Sequence, residues 1–434
     1  MKLMTLPSPA ADDNRNSGVV RRFWGLGLAA VVTTLVCALQ PYDNGPPIRS
    51  DGVGYHAWTY AILRGDLNFI GQANETYAFH ETRPGHWANV YPPGIALARF
   101  PVMVFCVDRG PGFGRPTLAE HIACVVLSGL ALAIVACLVF YSCRAAGGSY
   151  ATANVTVVAV VFGTGLFHYS TYDAAYSHVW SALGVAVLVA LAARSREPRV
   201  RFVAFGLGAV GCWLILVRNP NLFAIAILGA SYFLLAPKYL GLSRQIAFRN
   251  ILGLFVGTAV GVAIQIALNT YAHGRVTLSS YEGTLFVWDR PMQWSVLTSL
   301  PEHGLFVYYP VALLFLLVPF AVPRLWLAAL ALVALVGVYT TLYGYWNMWN
   351  LGASFGHRGF VEILPAGAPL FAAALTTLPR WPRRAVIVAT FVCVYLTVNL
   401  MAGYWRRTLP YHQITAEMYR DHVIGREMLL TKSP

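Results

Sequence analysis

Apolar runs near the length needed to cross a ~30 Å hydrocarbon core, about 20 residues each, recur along most of this chain. Hydrophobic residues fill 57% of its 434 positions and charged residues only 11%, where a soluble domain carries about 25% charge. The expected fold is an all-α polytopic membrane protein of about eleven transmembrane helices, at 23–40, 118–142, 150–167, 176–193, 200–217, 219–236, 249–271, 304–321, 324–343, 359–378 and 384–404. The net charge of +13 does not point to nucleic acid. Its basic residues fall between the apolar runs, where they fix orientation in a bilayer, so the expected surroundings are membrane lipids. No internal repeat is apparent, and an inverted-repeat transporter architecture gets no support.

Threading turns on PGIALARFPVMVFCVD, 93–108, which is apolar but short and holds Arg99 and Pro101. Arg21 and Arg22 put the N-terminus in the cytoplasm. If 93–108 lies along the interface, the basic loops ARSREPRVR, PKYLGLSRQIAFR and PRWPRR all fall inside as well; if it crosses, all three end outside. The expected organisation is a cytoplasmic segment 1–22, a transmembrane domain 23–404 and an extracytoplasmic tail 405–434. The first extracytoplasmic loop, about 41–117, is large and carries juxtamembrane helices. The N-terminus has the look of a secretory or twin-arginine signal but lacks an A-x-A cleavage site, so an uncleaved first helix in a bacterial inner membrane is expected. The seven cysteines show no CxxC spacing, and neither a disulfide framework nor a cysteine zinc site is inferred.

Against this background IRSDGVGYHAWTYAILRGDLNF, 48–69, stands out as a polar island just past the first run. AWTYAILRG has the mixed pattern of a short amphipathic helix lying flat, which would hold Asp51 at the membrane surface. A carboxylate there can meet a lipid head group, or it can cap the helix that follows. Most outer aromatics, among them Tyr55, Trp58, Trp87, Tyr91, Trp346 and Trp349, read as interface anchors.

Several segments, in order along the chain, resemble those of the GT-C superfamily of polytopic glycosyltransferases, in particular bacterial relatives of the protein mannosyltransferases (glycosyltransferase family 39). SDGVGYHAWTYAILRGDLNF is similar to the first-loop acidic motif with its helix, and NVYPPGIALARFP to the Tyr-Pro-Pro-Gly entry to a juxtamembrane helix. TYDAAYSHVWSA resembles the second outer loop, VRNPNLF the Arg-Pro-Asn helix junction, and PEHGLFVYYPV a further family segment. WNMWNLGASFGHRGFVEILPAGAPL resembles the Trp-rich stretch before a late helix. The resemblance implies catalysis by an acid in the first loop, here Asp51, and a sugar donor carried on polyprenyl phosphate at the outer face. Many relatives follow that acid with a Glu, but Gly52 stands here. A second acid, if the reaction needs one, must come from Asp66, Glu75, Glu81 or Asp173, of which Asp173, in the second outer loop, is preferred.

Such a transfer needs a base for the acceptor hydroxyl and stabilisation of the departing phosphate. Asp51 is the candidate base. Arginine suits the phosphate because its planar fork donates paired hydrogen bonds and stays charged. Arg358 is the best placed, with His357 beside it and Arg218 at the outer end of a span; Tyr55 and His56 complete the candidate substrate contacts, while Arg83 and Arg290 read as anchors. His56, His80 and His86 with Asp51, Glu75 and Glu81 are the candidate set for a divalent metal, but their spacing fits no ligand motif, and no metal is assigned. The alternatives are a lipid or small-molecule transporter or flippase, and a non-catalytic scaffold on the same fold. Transport usually places ionisable residues mid-span, and the long apolar runs read as nearly free of them. Sugar and acceptor, whether glycan, lipid or protein, stay open.

Overall fold

The structure is a computed structural model and describes residues 19–39, 45–70, 78–110, 113–195, 202–277, 280 and 286–424. The helix Arg244–His273 shows which solvent the chain is built for. Its polar Asn250, Thr258, Gln265 and Asn269 are buried, whereas Leu252, Val256, Val260 and Ile264 are exposed. Polar residues inside and apolar residues outside is the reverse of a water-soluble helix and the arrangement a bilayer stabilises.

Nearly all regular structure is helical, as lipid requires of a backbone that must satisfy its own N–H and C=O groups. Among the described residues five helices are long and apolar enough to cross: Leu118–Ala145, Asn221–Tyr239, Arg244–His273, Pro323–Tyr345 and Arg380–Trp405. Other expected spans are shorter or broken. The run 150–167 stops as a helix at Phe162, turns through Gly163, and resumes as Leu166–Thr171. The run 304–321 divides into Leu305–Tyr308 and Val311–Leu317 at Pro310, and 359–378 opens with Arg358–Val361 and a tight turn through Pro365 before Ala368–Thr377. Proline has no N–H to donate to the preceding turn, which weakens the helix at both places.

The segment 93–108 forms the helix Gly94–Met103, whose 10 residues reach about 15 Å, half of a hydrocarbon core. Arg99 is 1% exposed. Its guanidinium donates to the carbonyls of Ala174 and Ala175 and to Ser128 Oγ, and lies over the Trp180 ring.

The island helix forms as Asp51–Arg64, but not as a flat surface helix: it is buried without interruption from Gly54 to Ala61. The helix Gly94–Met103 packs against it, and the ends of a hairpin, Phe79–Arg83 with His86–Asn89, reach it through Ala78, Asn89 and Tyr91. Trp58 Nε1 donates to the Tyr91 carbonyl at 2.6 Å and Asn89 Nδ2 to that of Gly54 at 2.7 Å. Tyr55, Trp58 and Tyr91 are therefore core residues and not interface anchors. The hairpin turns on Pro84-Gly85, where Gly85 takes the positive φ of 73° that the third turn position demands.

The helices Val203–Val217 and Arg244–His273 pack backbone on backbone. A Cβ on Gly257 would enter the Gly208 carbonyl, and one on Gly261 would press on the Cys212 backbone. Without a hydrophobic effect between helices in lipid, such close approach supplies the packing. Gly257→Leu should therefore lower the thermal midpoint of the detergent-solubilised protein by several degrees, about 2 kcal/mol or more of overpacking. Gly337→Leu is the control, with nothing within 4 Å of its Cβ, and should leave the midpoint unchanged.

Candidate functional site

The helix Asp51–Arg64 begins immediately after Ser50, whose φ of 48° is unusual for a residue other than glycine. Asp51 occupies the first helical position and pairs across 307 residues of sequence: Arg358 Nη1 donates to Asp51 Oδ2 at 2.7 Å. Arg358 is itself held. Its Nη2 donates to the Leu351 carbonyl at 2.7 Å, its guanidinium lies 5.5 Å from the centroid of Tyr176, and the loop before it is pinned by Tyr169 and Tyr309 hydroxyls donating to the Phe355 carbonyl. Burial works against the charged guanidinium, but Asp51 and the surrounding tyrosines outweigh it and raise its pKa well above the ordinary value.

Gly52 explains the missing second acid of the first loop. A Cβ at this position would collide with that of Ala175, so no glutamate fits. The loop that carries Ala175 also holds a buried carboxylate, Asp173. Arg49 Nη2 donates to Asp173 Oδ1 and His168 Nε2 meets Asp173 Oδ2, each at 2.8 Å. Trp405 Nε1 donates to His168 Nδ1 at 2.8 Å. An indole N–H can only donate, so Nδ1 accepts and the imidazole proton sits on Nε2, aimed at Asp173. Burial alone would raise the Asp173 pKa, yet His168 and Arg49 prevail and bring it down to about 2.

A third cluster gathers at Arg218, which leaves the helix Val203–Val217 in extended conformation. Arg218 Nη1 donates to Glu362 Oε2 at 2.6 Å and faces His178 Nδ1 at 3.3 Å. Glu362 is fully buried. It sits inside the apolar run 359–378 and was missed by the reading of those runs as nearly free of charge; a lone carboxylate in an apolar run was the available signal. A fourth cluster lies apart: Glu120 Oε1 takes His56 Nε2 and the Tyr60 hydroxyl at 2.8 Å each, and Glu120 Oε2 takes the Thr117 N–H in a capping box.

The structure thus brings together Asp51, Arg358, Asp173 and Arg218 at one end of the bundle, with Tyr55 between them, its hydroxyl donating to Ser177 Oγ at 2.9 Å. It turns His56 away, onto Glu120, and His357 away, its Nε2 against the Trp349 carbonyl at 2.9 Å. Asp66 closes a local turn on Asn68 N–H, Glu81 accepts from Gly85 N–H, and Glu75 lies outside the described residues. Arg290 donates to the Trp346 carbonyl. Among the described residues no three His, Cys, Asp or Glu side chains gather as metal ligands. An apolar cavity of about 260 Å³, lined by Leu188, Leu228, Leu254, Leu332 and Leu370 among others, lies toward the opposite end and does not touch Asp51 or Arg358.

No protein-family model matches the sequence, and no curated protein does. The fold is matched by solved structures. The oligosaccharyltransferase AglB of Archaeoglobus fulgidus aligns over 96% of this chain and 60% of its own, at 11% identity, with a TM-score of 0.54 in the apo form and 0.55 in complex with an inhibitory peptide and a dolichol-phosphate. What the chain shares with this enzyme is the fold. ArnT from Cupriavidus metallidurans bound to undecaprenyl phosphate aligns over 94% of this chain and 79% of its own, at 15% identity and a TM-score of 0.49. The chain spans about three fifths of the AglB chain, and these neighbours do not single out the protein-mannosyltransferase branch.

Buried imidazoles should make the protein acid-sensitive. Burial, reinforced by neighbouring cationic groups, lowers His303 from 6.5 to about 4 and His357 to about 3. An unfolded chain takes up these protons near pH 6.5 and the folded one does not, so stability falls as pH drops from 6.5 toward 4. Asp173 adds its own loss below 3.8, through about 2. The thermal midpoint should decline steadily from pH 7 to pH 5, and His303→Gln should make that slope shallower; a flat profile would contradict the assignment.

Proposed function

We propose that the chain is a GT-C glycosyltransferase that transfers a sugar from a polyprenyl-phosphate donor to an acceptor hydroxyl. The proposed setting is the extracytoplasmic face of a bacterial inner membrane, with about eleven spans, a cytoplasmic segment 1–22 and an outer tail 405–434. The observation that carries the reading is the Asp51–Arg358 contact: a proton acceptor and a fixed cation, from segments 307 residues apart, meet at the end of a bundle with this fold. The orientation is supported by the opposite end, where Arg144, Arg194, Arg244, Arg324 and Arg380 lie at helix termini, as expected for a cytoplasmic face.

In this reading the acceptor oxygen attacks the anomeric carbon, its proton passes to Asp51, and the bond from that carbon to the phosphate oxygen breaks. Polyprenyl phosphate leaves with the bonding electrons. Arg358 and Arg218 stabilise the charge that builds on the leaving phosphate. Asp173, locked between Arg49 and His168, orients the second loop, and Tyr55 borders the reacting centre. The dolichol-phosphate held by AglB supports a lipid phosphate as the donor's carrier.

Transfer of labelled sugar from a panel of synthetic polyprenyl-phosphate sugars into membranes containing the protein tests the proposal. Asp51→Asn should reduce the rate at least ~100-fold, the weight of a general base, while the protein stays folded. Undiminished transfer by this variant would remove Asp51 from the chemistry.

A further inference from the structure

The three arginine–carboxylate pairs near the site are not equivalent. Asp173 has both oxygens claimed by different partners, Arg49 and His168, with Trp405 fixing the imidazole behind them. Glu362 is completely enclosed beside Arg218. Asp51 is different: its side chain is 11% exposed, against 6% for Asp173 and 0% for Glu362, and Arg358 opposite it is 14% exposed. It stands at the very start of its helix, behind a residue with positive φ, while Arg358 is anchored independently through Nη2 to the Leu351 carbonyl. Arg358 thus has a second anchor besides Asp51, and both members of the pair are partly exposed, so a ligand can approach either.

The same nitrogen is wanted twice. Arg358 Nη1 points at Asp51 Oδ2, and it is the donor that a phosphate oxygen approaching Arg358 would meet. While Asp51 Oδ2 accepts from Arg358 Nη1, the lone pair it turns to the guanidinium is occupied and cannot meet an acceptor hydroxyl. We propose that Arg358 exchanges its Asp51 partner for the donor's phosphate, so that binding of the donor is what releases Asp51 to take the acceptor's proton. This rests on the polyprenyl-phosphate reading above and adds an order of events to it. No bond is made or broken in the exchange; one ion pair replaces another, and the base is uncovered only when there is a phosphate to depart.

Affinity for farnesyl phosphate, a short polyprenyl phosphate, tests the exchange by calorimetry on the full chain in detergent. Asp51→Asn removes the competing anion and should bind about tenfold more tightly than the wild type, the scale of one charge-assisted hydrogen bond. Asp173→Asn also removes one negative charge nearby, but not from Arg358, and should stay within about twofold. In the double variant Asp51→Asn with Arg358→Gln the gain should vanish. Equal or weaker binding by Asp51→Asn overturns the exchange, and so does an equal gain in Asp173→Asn, which would mean general electrostatics. If Asp51→Asn does not fold, Asp51→Ser serves in its place, with the same expectation. Absence of binding in wild type and all variants would instead strike the polyprenyl-phosphate reading itself, and the exchange with it.

Discussion

A carboxylate enclosed at the end of a lipid-facing bundle must be neutralised where it stands, since an isolated buried ion costs more than a fold can offset. Among the described residues three of the four buried acids face an arginine, Asp51 with Arg358, Asp173 with Arg49 and His168, and Glu362 with Arg218, while Glu120 is satisfied by hydrogen bonds from His56 and Tyr60. Each pair joins different elements. Neutralisation therefore also staples the island helix to the loop before residue 358, the second loop to residue 49, and the end of Val203–Val217 to the run that follows Arg358. Removing one partner would leave the other buried and unsatisfied, so the charges constrain the geometry more firmly than they add stability.

The site forms where the helices stop. Gly163, Pro310 and Pro365 interrupt three apolar runs, and Arg218 leaves its helix just before Pro220. Irregular backbone at membrane depth is tolerable only where protein covers it. The helix Gly94–Met103, with Ala78, Asn89 and Tyr91 at the ends of the hairpin, covers the island helix, and buried Arg99 ties that cover to the loop carrying Asp173. Long helices thus provide the mount, and their broken ends provide freedom to aim side chains inward.

Much of this was legible in the chain itself. The apolar runs announce the helical membrane class, and a short run holding Arg99 and Pro101 does form a helix too short to cross. Arg358 and Arg218 stood out as charges at the outer ends of apolar runs, Asp51 and Asp173 through the resemblance of their loops to a known family, and the fold draws all four to one end. What was not legible depends on partners far away in sequence. That His56 faces Glu120, 64 residues on, or that Glu362 answers Arg218, 144 residues earlier, follows from packing and from no local pattern. The island helix misled for the same reason: its mixed composition suits a surface helix until the helix Gly94–Met103 packs against it, and the polar groups then find partners inside. Gly52 is legible only in retrospect, through the Ala175 side chain that leaves no room for a longer residue.

Whether Asp51 and Arg358 act as one unit is the point on which the account depends, and a double-mutant cycle on sugar transfer measures it directly. Asp51→Asn, Arg358→Gln and the double variant are compared with the wild type for transfer rate, each checked for folding. If the two side chains serve one step, the double variant loses no more than the worse single variant, because the second change removes a function already gone. Losses that simply multiply would mean that the two residues act independently, and would contradict the central claim.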